Sequence, residues 1–149
     1  TLAILEGLLL RVGEGRYVLP LISIMESVAP RREQLSHVAD RGEVILLRGE
    51  PLPLVRLNRF FGVAGETDGA GRGVAVVIEH HGKRMALLVD ELMGQQQVVI
   101  KSLETHFHKV EGVLGATILG DGQPALILDA AALAETARAA GDMRRQTAA

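Results

Sequence analysis

The sequence predicts an all-β protein made of small barrels, with one short helix near its C-terminal end. Three observations carry this. Short apolar runs alternate with glycine turns along most of the chain. Two kinds of hairpin recur at a nearly constant step. Only one stretch has the composition and punctuation of a helix.

The hairpins come first. "GLLLRVGEGRYVLPLISIMES" reads as an apolar strand, a turn at Gly13-Glu14-Gly15 and a second apolar strand. "VAVVIEHHGKRMALLVDELMG" has the same form, turning at His81-Gly82. "VILLRGEPLPLVRL" is a strand, a tight turn at Gly49 and a strand, and "ATILGDGQPALILD" matches it with a turn at Gly120-Asp121-Gly122. Gly49, Pro53, Leu57 and Asn58 stand in register with Gly120, Pro124, Leu128 and Asp129 at a step of roughly 70 residues, an internal duplication. The two halves, expected to be intertwined in one domain, run over about residues 8–65 and 73–130, joined by a Gly-rich polar linker over about 62–73. Strands this apolar, with alternation often broken, suit barrels filled by Leu, Val and Ile.

The helix is "DAAALAETARAAG", over about 130–140, with Asp129 as N-cap and Gly141 as the stop. "NRFFG" after Leu57 is a single turn at most, and "PRREQLSHVADRG" reads as a loop or one short helix. Gly94 permits a bend or bulge between two strands.

Composition narrows the function. The 149 residues form one ordinary domain or two very small barrels; 48% are hydrophobic, enough for a real core. A net charge of −2 gives no field to capture nucleic acid or an anionic membrane. Tyr17, Phe60, Phe61 and Phe107 are too few to stack bases. With no cysteine, disulfides and thiolate metal sites are excluded. No apolar run reaches the roughly 20 residues of a membrane span, and no signal peptide is visible. The opening on Thr1 without an initiator Met suggests a domain from a longer polypeptide.

Candidate chemistry is sparse. Asp90 and Glu91, adjacent on a strand, point to opposite faces and cannot converge on one substrate atom. With Gln95, Gln96 and Gln97 they read as the outward side of the second barrel, where any function is docking. His106 and His108, two apart, would share one side of a strand but lack a third ligand; Glu111 lies past a turn. "GAGRG" precedes a strand rather than a helix, so it does not cradle phosphate. No serine sits in a nucleophile elbow.

The segments "LLRVGEGRYVLPLISIMES", "RGEPLPLVRL", "VAVVIEHHGKRMALLVDELMGQQQVVIKSLE" and "VEGVLGATILGDGQPALILD" together resemble the C-terminal regulatory domain of the chemotaxis histidine kinase CheA, homologous to the coupling protein CheW. The likeness covers about residues 1–134. It implies two five-stranded SH3-like barrels with a short C-terminal helix, no catalysis in this piece and no cofactor. It also implies three partners: the coupling protein CheW, the cytoplasmic tip of chemoreceptors, and the kinase's remaining domains, all in the cytoplasm. In "LLRGEPLPLV" the resemblance marks Arg48, before the turn glycine, with Glu50 beside it, as interface candidates; a turn-stabilising arginine is the competing reading. Glu26, after "ISIM", falls near a family contact region. Two other readings stay open: a free-standing CheW-type coupling protein, and a small metal-binding or enzymatic barrel using His106 and His108.

Overall fold

The computed structural model describes residues 3–39, 42–65, 73–100 and 110–137. In chain order these form β1 (Ala3–Val12), β2 (Gly15–Pro20), β3 (Ile24–Val28), β4 (Leu35–Val38), β5 (Gly42–Leu47), β6 (Glu50–Arg56), the one-turn α1 (Leu57–Phe60), β7 (Val74–His80), β8 (Lys83–Val89), β9 (Glu91–Ile100), β10 (Val113–Ile118) and β11 (Pro124–Leu128). Helix α2 covers residues 130–137. The class is the predicted one, all-β; where two five-stranded barrels were expected, the strands form one five-stranded and one six-stranded sheet.

The sheets run β10-β11-β2-β1-β9 and β3-β7-β8-β6-β5-β4. Their order discloses how the duplication is used. The first hairpin of one half joins the second hairpin of the other. β11 pairs parallel with β2, and β6 pairs parallel with β8. β9 adds to β1 as β3 adds to β7, both antiparallel. Apart from β4, which covers the edge of β5, the two orders are the same under exchange of the repeats.

Period 2 explains why the strands are apolar on both faces. On β1 and β2, Leu9 and Val18 point into one cluster with Val98, Leu119, Ala125 and Ile127. Leu10, Val12, Tyr17 and Leu19 point the other way, into a central cluster. β7 and β8 repeat the pattern: Ala75, Val77, Ala86 and Leu88 line the second sheet's own core, while Val76, Ile78, Met85, Leu87 and Val89 join the centre. There are thus three apolar layers, and each fully buried Leu, Ile or Val contributes roughly 1.5–3 kcal/mol. Three of the four aromatics lie in or against the central layer: Tyr17 stacks on Phe61 at 5.0 Å, and Phe60 meets Phe61 edge-on. Burial pushes the Tyr17 phenol up from its ordinary value.

Two local readings change and one holds. "PRREQLSHVADRG" holds a 3-10 turn, Arg32–Gln34, and the strand β4, because Leu35 pairs with Ile45 and packs on the second core. β9 is one ten-residue strand rather than two, bulged at Met93 beside Gly94, whose φ is 116°. Asp129 does cap α2: its Oδ1 accepts the Ala132 amide at 3.1 Å. Gly141 lies outside the described residues.

Candidate protein-docking site

The three residues singled out in the sequence come together at one end of the second sheet. The β5–β6 connection is a two-residue turn in which Arg48 (φ 48°) and Gly49 (φ 81°) are both left-handed, the geometry of a type I′ hairpin. From there Arg48 Nη2 donates to Glu26 Oε2 at 2.8 Å. Glu26 sits on β3, three places from β6 in sheet order, so this contact spans a rolled sheet and covers the end of its core. Leu47, Leu52 and Val77 of that core line a recess of about 190 Å³ with Met25, Glu26, Arg48, Glu50 and Arg84. Glu50 flanks Arg48 and acts on it through charge.

The Arg48 hydrogen bond holds the Glu26 carboxyl below its ordinary 4.5, with further help from the charges of Arg48 and Arg84 against partial burial. The same bond raises Arg48. Arg84 is itself paired with Glu79 at 3.3 Å. The other Glu26 oxygen, Oε1, is occluded and has no hydrogen-bond partner among the described residues. Beside these charged groups Met25 is 49% exposed, and Ile22, on the crossover from β2 to β3, is 94% exposed.

Met25 and Arg84 were not legible as site residues. Met25 is the extra residue of a bulge, with Ile24 opposite Ile78 and Glu26 opposite Val77. Arg84 reaches the recess only through the β7–β8 hairpin, a neighbour no sequence spacing records.

Asp90 corrects the sequence reading. Its side chain is not on the outward side but fully buried. It accepts the Gly13 amide at 2.6 Å and faces the Arg11 guanidinium at 3.6 Å, which ties the β1–β2 turn to the β8–β9 corner. Glu91, more than half exposed, takes the Nε of the same arginine at 3.0 Å. The two carboxylates therefore hold one cation and share no open site. Gln95 and Gln97 are exposed, and Gln97 donates to Glu6 across the β1–β9 ladder at 2.8 Å. His106 and His108 lie outside the described residues. Among those described, no three His, Asp or Glu side chains are grouped to hold a metal, and no helix is long and apolar enough to cross a membrane. Glu111 accepts a hydrogen bond from Thr136 of α2 at 3.0 Å.

Comparison with known proteins gives a consistent answer. Residues 6–138 match the family model described as a CheW-like domain. The chain is 50% identical over 133 residues to the chemotaxis protein CheA of Klebsiella aerogenes, covering 89% of this chain and 20% of that protein. It is 40% identical over 136 residues to CheA of Treponema pallidum, covering 91% and 17%. To the sensor histidine kinase CheAY of Helicobacter pylori it is 37% identical over 138 residues, covering 93% and 17%. The chain thus spans about a fifth of the length of the relatives it matches. Its structure is similar to that of the scaffolding protein TtCheW from Thermoanaerobacter tengcongensis, with a TM-score of 0.65 at 17% identity, covering 85% of this chain and 90% of that one, a likeness of fold.

Proposed function

The chain belongs to the CheW-like domain family, and on that premise we propose that it is the regulatory module coupling a chemotaxis histidine kinase to its receptors. It acts by docking. The coupling protein CheW and the cytoplasmic tip of a chemoreceptor are its partners, and the kinase's other domains receive the signal. Phosphoryl transfer belongs to the part of the protein beyond this chain, and the module works in the cytoplasm without a cofactor.

The observation that carries the reading is the recess at Arg48. It combines an exposed guanidinium, held by Glu26, with the exposed apolar side chain of Met25 on an edge strand. Apolar side chains beside a planar charged fork are the composition of a protein interface. Arg48 fixes the polarity: a partner brings it an acceptor.

The test is a titration with CheW. Wild-type protein should bind at roughly micromolar affinity, as transient signalling contacts do. Arg48→Glu should weaken binding to CheW or to a receptor fragment by about tenfold or more while the circular dichroism spectrum is unchanged. Unchanged affinity for both partners removes Arg48 from the interface. A free-standing coupling protein is the second reading, favoured by the shared fold with TtCheW. The length of the intact gene separates the two, since only the kinase has a long upstream coding region.

A further inference from the structure

The duplication places two exposed methionines at equivalent points. The turns Gly13-Glu14 and His81-Gly82 lie 68 residues apart, and so do Met25 and Met93. Each is the extra residue of a bulge on an edge strand, Met25 on β3 and Met93 on β9. Met25 is 49% and Met93 41% exposed, whereas Met85 in the central core is 3% exposed. Among the described methionines, Met25 alone borders the recess that holds Arg48, Glu26 and Arg84.

We propose that Met25 is an oxidation site through which peroxide lowers docking at the Arg48–Glu26 recess. This inference rests on the docking reading above. The chemistry needs hydrogen peroxide as the oxidant. The thioether sulfur attacks one peroxide oxygen, the O–O bond breaks and an S–O bond forms. Sulfur loses two electrons to become the sulfoxide, and the departing hydroxide takes the remaining proton as water. A flexible apolar contact becomes a polar one carrying a strong acceptor. That acceptor is made beside two guanidinium groups, where it competes with Glu26 for Arg48 and with Glu79 for Arg84, and disrupts the apolar margin a partner must cover. Met93 carries the same bulge and similar exposure without the recess, so it reacts without effect on this docking. Sulfoxide reductases reverse the change, which makes it a switch.

The experiment treats the chain with millimolar hydrogen peroxide, follows each methionine by peptide mass spectrometry and titrates the product with CheW. Met25 and Met93 should oxidise about tenfold faster than Met85, and CheW affinity should fall about five- to tenfold and return after methionine sulfoxide reductase treatment. Met25→Leu, a volume-conserving change, is compared with itself: whatever its starting affinity for CheW, that affinity should be the same before and after peroxide, although its Met93 is oxidised. The inference is overturned if Met25 reacts no faster than Met85, if protein oxidised at Met25 binds as tightly as untreated protein, or if Met25→Leu loses affinity as the wild type does. Untreated protein that fails to bind CheW brings down the docking reading and this inference with it; untreated protein that binds while oxidation changes nothing brings down the inference alone.

Discussion

Replacing Asp90 by alanine removes a support that the folded chain has nowhere else to draw on. The carboxylate is wholly withdrawn from solvent and accepts the Gly13 amide at 2.6 Å. It also faces Arg11, whose Nη1 donates to the Gly13 carbonyl at 3.1 Å. Stripping one partner from a buried hydrogen bond costs about 1–3 kcal/mol, and severing a buried ion pair about 3–5 kcal/mol. Arg11 is 27% exposed and keeps Glu91, so the ionic part falls short of its upper range. We expect a loss of about 3 kcal/mol, which for a chain of this size lowers Tm by roughly 6–12 °C. Asp90→Asn, which keeps an acceptor for Gly13, should lose about half as much. Urea unfolding followed by circular dichroism measures both, and CheW affinity below the unfolding temperature should stay at the wild-type value. An Asp90→Ala protein within about 0.5 kcal/mol of wild type would refute the reasoning, the scatter expected of a surface change. So would one that is equally stable but no longer binds.

Gly13→Ala should destabilise by more than about 1 kcal/mol, because φ is 60° and a Cβ would lie 2.0 Å from the Ala64 carbonyl oxygen; the urea midpoint measures it. Arg48→Asn puts the favoured Asn-Gly pair into the I′ turn, so stability should hold or rise while CheW affinity falls, and a thermal melt beside a titration separates the two effects. Acid should act late on the recess. The folded Glu26 value is depressed, so its contribution is complete above the ordinary 4.5 and is lost only as pH falls through the lower folded value. CheW binding by wild type, set against that by Arg48→Asn, should therefore lose its advantage only in that acid range; a decline between neutrality and 4.5 would contradict the assignment to Glu26.

Much of the fold was legible because hairpins announce themselves locally. Glycine turns and apolar runs marked β1–β2, β5–β6, β7–β8 and β10–β11, and the constant step marked the repeat. A repeat records which segments are alike, not which ones pair, so the exchange of hairpins between halves was out of reach. β4 was missed because "LSHV" has weak propensity of its own and is a strand only in the presence of the β5 edge. Asp90 failed for a similar reason. Its opposition to Glu91 followed from strand geometry, but which of the two faced inward depended on Gly13, 77 residues away. At the recess, Arg48, Glu50 and Glu26 came from resemblance. Their convergence came from the roll of a sheet, and Met25 from a bulge that alternation does not foresee.

The crossed arrangement of the hairpins also governs how the chain is made. While the ribosome has released the chain only through residue 65, β1 lacks β9, β2 lacks β11, and β3 and β6 lack β7 and β8. Both sheets wait on the second repeat, so neither repeat holds a complete sheet of its own. Pairing over such sequence separations makes for slow folding and leaves strand edges open until the second repeat emerges.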